Sequence, residues 1–371
     1  MAMPDWSALR AEFPALAHWT FLNSATFGQL PRRAAEAITA HLEHRAATAC
    51  HGFLGWFDHH DRLREKLARL IHATPDDIAF TPNCATSLGL LMRGLDWREG
   101  DEIVTLEGEF PNQIYGPACL ESRGVRTVET RWENFFEALS PRTRVVAISD
   151  VNYVTGFRAP VEDFAAGLER RGILLYLDGT QSLGALQFDF SAVRPAMYAV
   201  NCYKWMLAPN GVAFMAVRED LRQRLEPAAI GWRSHRGWRT VDRLHHGPPV
   251  FEDSAEKYEG GMLASLLLYA LEASADLLLE TGPAAIERRV LELARECRSR
   301  IHAAGGQPLP HRGSAIVSAS FPGRDARVLA AALEQHRVLV SARHGLLRVS
   351  THFYNDAADL ARLESGLRPL L

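Results

Sequence analysis

Between residues 78 and 217, short apolar runs alternate with longer amphipathic stretches, and this alternation predicts a mainly parallel sheet with crossover helices on its faces. The predicted strands are 78–81, 103–106, 144–149, 173–178, 198–201 and 212–217, several almost wholly apolar, as strands buried on both faces are. Residues 86–95 put Leu88, Leu91, Met92 and Leu95 on one helical stripe, and 161–171 does the same with Phe164 and Leu168. Past Val217 the pattern lapses. Residues 231–239 (GWRSHRGWR) and 245–250 (HHGPPV) are rich in Gly, Pro and polar residues, which predicts loops and a domain boundary near residue 250. A long helix is then predicted over 261–280, strands over 315–321, 338–341 and 346–350, and helices over 325–336 and 356–370, which together make a smaller α+β domain.

Composition narrows the function. A chain of 371 residues that is 47% hydrophobic and 23% charged is an ordinary globular protein, long enough for two domains sharing a substantial core. Its net charge of -3 is spread along the chain, leaving no footprint for nucleic acid or an anionic membrane, so a small-molecule partner is expected. Asp5, Arg10 and Glu12 interrupt the N-terminus where a secretion signal would need an apolar core, and the longest uncharged apolar run, 262–271, is too short to span a bilayer. A cytoplasmic protein is expected. Five widely spaced cysteines without a Cys-x-x-Cys pair suggest neither disulfides nor zinc, and His59-His60 and His245-His246 lack metal-binding spacing; no metal is expected.

Three features carry candidate chemistry. The strand ending Tyr176-Leu177-Asp178 runs into Gly179-Thr180-Gln181, which places Asp178 beyond the carboxyl end of a sheet strand, where α/β proteins bind ligands; a turn cap is the alternative. Lys204 follows another apolar strand in Asn201-Cys202-Tyr203-Lys204-Trp205, where burial would disfavour its charge; a surface lysine is the alternative. The strand 78–81 leads through Pro82-Asn83-Cys84-Ala85-Thr86-Ser87 into a helix, giving free N–H groups and two hydroxyls suited to phosphate, or else a plain N-cap.

The order of these features resembles fold-type I pyridoxal 5′-phosphate (PLP) enzymes of the aminotransferase class V group, which includes cysteine desulfurases, kynureninases and isopenicillin-N-epimerase-like proteins. The resemblance runs from Phe21-Leu22-Asn23-Ser24-Ala25 to Tyr354-Asn355, and DGTQSLGA (178–185) and YKWMLAPNG (203–211) are its most specific segments. It implies a three-layer α/β/α large domain over residues 21–250, a small C-terminal domain with the interdomain helix over 251–371, and an N-terminal segment, 1–20, packed with the small domain. It further implies a Schiff base on Lys204 and Asp178 at the pyridine nitrogen, these two being catalytic. Gln181 is expected near the ring hydroxyl, Ala85 and Thr86 on the phosphate with Tyr203 and Asn201 completing the cup, and Phe110 stacked on the ring unless it is a core residue. Tyr153 and Gly261 are expected at the cofactor, the latter from a partner subunit of a homodimer, and Arg348 and Asn23 at an amino-acid substrate, Arg348 as the fork for its carboxylate.

Departures bear on the reaction. No cysteine follows Cys297, whereas desulfurases need a nucleophilic one before the carboxylate-binding arginine. Phe110 stands where desulfurases carry His, Tyr153 where they carry Asn, and Met262 where a Thr is usual. Transamination, elimination with C–S cleavage, kynureninase-like C–C cleavage and epimerisation stay open, as does a binding protein that kept the fold without turnover. Substrate choice is expected in 23–28, 56–60 and 231–239, with Arg233 and Arg236 suggesting a polar or acidic side chain.

Overall fold

The computed structural model describes residues 4–310 and 313–370. Its strands are β1 (Thr20–Phe21), β2 (Ile78–Thr81), β3 (Glu102–Leu106), β4 (Arg126–Thr130), β5 (Thr143–Ser149), β6 (Leu174–Asp178), β7 (Met197–Asn201), β8 (Ala213–Val217), β9 (Gln307–Pro308), β10 (Ile316–Ser320), β11 (Val338–Leu339), β12 (Ser341–Arg343) and β13 (Leu346–Ser350). Seven of them form one sheet in the order β2-β8-β7-β6-β5-β3-β4. From β4 to β7 neighbours are parallel, while β8 runs antiparallel to β7 and to β2. The expected mainly parallel α/β architecture is what forms.

Alternation along the strands explains the layering. In β6, Leu175 and Leu177 face the core made with helices Gly55–Ile71, Val161–Arg170 and Ser265–Thr281, whereas Leu174 and Tyr176 face the core made with helix Cys84–Gly94. Tyr198 and Val200 of β7, and Phe214 and Ala216 of β8, follow the first pattern; Met197, Ala199, Met215 and Val217 follow the second. Side chains alternate faces along a strand, so a strand covered on both sides must be apolar at every position.

The polar edge strand β4, with Arg126 and Glu129 exposed, has no apolar run to betray it in the sequence. Helices Arg32–Thr48, Gly55–Ile71 and Pro283–Ala303 are additions to the predicted set. The last buries Ile286, Val290, Leu293, Cys297 and Ile301 on one stripe. It is separated from Ser265–Thr281 by Gly282 at φ +89° and by Pro283 at its first position, a stop followed by a start. The helix expected from 261 begins at Ser265, and the strand expected over 338–341 divides between β11 and β12.

β12, β13, β10 and β9 make a second, antiparallel sheet, whose core is Leu293, Cys297, Val317, Leu329, Leu333, Leu347, Val349, Leu360 and Leu363. The chain's start is tied to this part. β1 pairs with β11, Arg10 bonds Asp359 at 2.7 Å, and Phe13 lies 4.6 Å from Tyr354, ring to ring. Asn23 bridges to Ser350 beyond the end of β1. No helix among the described residues is long and apolar enough to cross a membrane.

Candidate active site

The chain passes from β3 outward to β4 and returns on the other side of β3 as β5, so the sheet has its switch point between β3 and β5. Ligands of open α/β sheets bind beyond the carboxyl strand ends at such a point. The carboxyl ends of β5, β6 and β7 deliver Ser149, Asp178 and Asn201 there, and Lys204 follows three residues after β7.

Lys204 is buried, and its Nζ has no hydrogen-bond partner among the described residues. Its Nζ lies 5.7 Å from the Phe110 ring centroid and 5.6 Å from that of Tyr203. Burial pulls its pKa down to about 8, with Arg348 and Arg343 adding repulsion and Asp178 opposing them. The chain closes tightly over this residue: Gly28 N–H donates to the Tyr203 carbonyl at 2.8 Å, and a Cβ at Gly28 would stand 1.8 Å from the Lys204 carbonyl oxygen.

Asp178 is buried and accepts from Thr180 N–H at 2.9 Å and from Gln113 Nε2 at 3.2 Å. Burial raises its pKa against these donors and against Lys204. Gln181 is held at both ends, donating to the Ala25 carbonyl at 3.1 Å and accepting from Trp205 Nε1 at 3.0 Å. Asn201, expected in a phosphate cup, is committed to the protein: its Oδ1 accepts from Cys84 N–H at 3.1 Å and its Nδ2 bonds Thr180 at 3.3 Å. Its place is behind the cup, fixing the start of helix Cys84–Gly94. Asn83 caps that helix through Thr86 N–H at 3.0 Å, and Ala85 and Thr86 stand exposed at its N-terminus, where N–H groups favour an anion.

Arg348 is 1% exposed. It donates to Ser341 Oγ (3.1 Å), the Tyr153 carbonyl (2.5 Å) and Thr26 Oγ1 (2.6 Å), and no carboxylate among the described residues pairs with it. Burial, with Arg343 second, lowers its pKa to about 9. Arg343 reaches the same Thr26 hydroxyl at 3.4 Å, and Asn23 Oδ1 accepts from that hydroxyl at 2.8 Å. Two guanidinium groups sharing one neutral oxygen make a site short of an anion.

Phe110 is part-exposed, with the Tyr153 ring edge-on at 5.3 Å, and Tyr153 Oη lies 3.0 Å from His344 Nε2. His344 and Gly345 form the two-residue turn between β12 and β13, both at positive φ (48° and 79°). Gly261 has its contacts elsewhere, with Glu259 and Arg233, and adjoins exposed Met262.

The specificity expected of Arg233 is overturned. Arg233 is fully buried and pairs with Glu256 at 2.7 Å and Glu259 at 2.8 Å, and Arg64 closes the cluster on Glu259 at 2.6 Å. Arg236 pairs with Asp253. The cluster anchors the loop to β2, since Glu259 also accepts from Phe80 N–H at 2.9 Å. In 56–60, His59 pairs with Glu272 and His60 is buried against Ser265.

Sequence reading passed over Gln113, Ser149, Thr26, Arg343, His344 and the acid of Glu109.

The family description Aminotransferase class-V matches residues 20–363. The chain belongs to that family. Isopenicillin N epimerase of Streptomyces clavuligerus is 27% identical over 100% of this chain and 99% of its own length. A probable cysteine desulfurase of Methanothermobacter thermautotrophicus is 23% identical over 98% and 97%. Among solved structures, a C-DES mutant with glycine covalently linked to its PLP cofactor superposes with a TM-score of 0.90 at 23% identity, covering 99% of each chain. The cystine C–S lyase C-DES with its product cysteine persulfide gives 0.88 at 24% identity over 96% of this chain and 99% of that one. This is the fold of family members that carry PLP, and the chain is a PLP-dependent enzyme of the transferase or lyase kind.

The residues present fit that cofactor. A buried amine without a side-chain partner lies 5.7 Å from the centroid of the Phe110 ring. A buried acid, an exposed helix N-terminus and a buried arginine without a carboxylate complete the set. The cysteines do not fit a persulfide relay. Cys84, Cys202 and Cys297 are buried, Cys50 and Cys119 are exposed, and none lies in β12, β13 or their turn.

Proposed function

We propose that this chain is a PLP-dependent amino-acid lyase in which Lys204 carries the cofactor, Arg348 grips the α-carboxylate, and the product leaves without passing through a protein persulfide. The single observation behind this is the pairing of a desolvated, unpartnered lysine with an arginine that has no counter-ion. Bound PLP supplies an electron sink for the bond broken at Cα.

The protein's own residues do the rest. Lys204, held to about 8, releases and takes up a proton near neutral pH and serves as the base at Cα. Asp178 would hold the proton of the bound ring's nitrogen. Thr86 and Ala85 receive the phosphate, Phe110 and Tyr153 bound the pocket, and Asn23 orients Thr26 toward both guanidinium groups. We infer a cytoplasmic homodimer with Gly261 at the partner's site; exposed Phe27, Tyr115 and Met262 supply apolar surface for it, and sedimentation tests it.

The test is borohydride reduction of the PLP-loaded protein, digestion and mass spectrometry, followed by product analysis over a panel of amino acids. Cofactor mass on Lys204 and release of a keto acid with a small leaving group support the reading; cofactor mass on another lysine sinks it. The Tyr153–His344 pair favours a second reading, epimerisation, because it is a proton-bearing pair distinct from Lys204. Deuterium gained at Cα of recovered, inverted substrate would select it.

A further inference from the structure

Behind Asp178 lies a buried acid that the proposed chemistry does not use. Glu109 follows β3 at the switch point and is 6% exposed. Its Oε1 accepts from Ser149 N–H at 2.8 Å, and its Oε2 accepts from Ser149 Oγ at 2.6 Å and from Phe110 N–H at 3.2 Å. Ser149 Oγ lies 3.4 Å from Gln113 Nε2, and the same nitrogen donates to Asp178 Oδ2 at 3.2 Å. Gln113 is fully buried and its Oε1 has no partner. An unpaired buried amide oxygen is a penalty, so the orientation that donates both its N–H groups must be favoured by the acceptors it meets. Glu109 and Ser149 also line a cavity of about 210 Å³ with Glu107, Thr130, Arg131, Glu133 and Asn152.

We propose that Glu109 is a positioning residue whose charge is passed through Ser149 and Gln113 to Asp178, setting from outside the pocket how firmly that carboxylate holds a proton. This rests on the reading that Asp178 serves the cofactor's ring nitrogen. When Glu109 is ionised, the Ser149 hydroxyl must donate to it and offers lone pairs to Gln113, whose second N–H is then fixed on Asp178. When Glu109 carries a proton, it donates to Ser149 instead, the hydroxyl turns toward the empty Gln113 oxygen, and the amide is free to rotate away from Asp178. The same acid holds Phe110 by its backbone, so the ring platform and the ring-nitrogen acid share one anchor. Burial, opposed by the Ser149 and Phe110 donors and reinforced by repulsion from Asp178, brings Glu109 to about 7, so the relay changes state near neutral pH. Charged groups bearing on it are Asp178 from β6 and Glu107, Arg131 and Glu133 around the cavity; Asp150 and Lys204 bear on Asp178 in turn.

The experiment follows Asp178 by carbon-detected NMR of carboxyl-labelled aspartate in apoprotein, assigned by its loss in Asp178→Asn. Glu109→Gln removes the charge, frees the Gln113 amide from Asp178 and should raise the Asp178 midpoint by about one pH unit, whereas loss of direct repulsion alone would lower it. Gln113→Leu removes a donor to the ionised form and should raise it. Placed on Gln113→Leu, Glu109→Gln should have no further effect; an undiminished shift there means a route other than the relay and overturns the proposal, as does an unmoved or lowered midpoint in Glu109→Gln alone. In PLP-loaded protein the pH midpoint of the visible band should move in Glu109→Gln and return in Glu109→Asp. Wild-type protein that takes up no PLP would sink the proposed function and leave the apoprotein titration to decide the relay.

Discussion

Arg348→Met separates a residue kept for a ligand from one kept for the fold. The substitution removes three hydrogen bonds from a charged donor, each about 1.5–3 kcal/mol. It also removes a buried cation whose pKa falls from 12.5 to about 9, which at about 1.36 kcal/mol per pH unit is on the order of 5 kcal/mol against the charged form. The two effects are of like size and opposite sign, so the melting temperature of the apoprotein should move by only a few degrees, about 4 °C or less for each kcal/mol left over. Binding behaves differently. Loss of one partner of a buried ion pair costs about 3–5 kcal/mol, which lowers kcat/KM by roughly two to three and a half orders of magnitude. Differential scanning fluorimetry with and without an unreactive carboxylate, beside steady-state kinetics, reads both. A carboxylate at about 100 times its Kd should stabilise wild-type apoprotein by about 2.7 kcal/mol and leave the variant unmoved. A variant that melts far below wild type, yet is still stabilised by carboxylate, would show the arginine to be structural and refute the argument.

Glu259→Gln should be severe in a different way, because it leaves Arg64 and Arg233 buried with a weaker partner; a loss of about 3–5 kcal/mol in urea unfolding is expected, with the loop around Gly231 opened to protease. Gly28→Ala drives a methyl into the Lys204 carbonyl at 1.8 Å and should weaken cofactor retention roughly tenfold in dialysis, at an overpacking cost of about 1–3 kcal/mol. Glu109 and Asp150 are both carried by burial to about 7 from 4.5 and 3.8. The folded apoprotein therefore holds more protons than the unfolded chain between those values, and their contribution is complete below about 4 and lost as pH rises through 7. Urea midpoints measured across that window should fall with rising pH, and less steeply in Glu109→Gln.

The central strands were legible because burial on both faces forces every position to be apolar, as in Leu174–Asp178 and Ala213–Val217. β4 was not, since an edge strand facing water carries the same polar residues as a loop. Helix Pro283–Ala303 lies outside the predicted set although its apolar stripe and its Gly282-Pro283 boundary are plain in the sequence. In the site, Lys204, Asp178 and Arg348 could be named because few residue types can do their work. Thr26, Ser149 and Gln113 matter through partners more than thirty residues away, and no local pattern reveals such partners. Arg233 misled for the converse reason: a loop rich in Gly and Arg reads as open to solvent until the acids that bury it, Glu256 and Glu259, are placed beside it.

The reversal of the chain at His344 and Gly345 has one more consequence. The turn between Arg343 and Leu346 is too short to form an arm that could swing a tethered group out of the pocket. On the lyase reading, a group cut from the substrate would leave as a free small molecule, and cell extract stripped of macromolecules should sustain turnover as well as whole extract does.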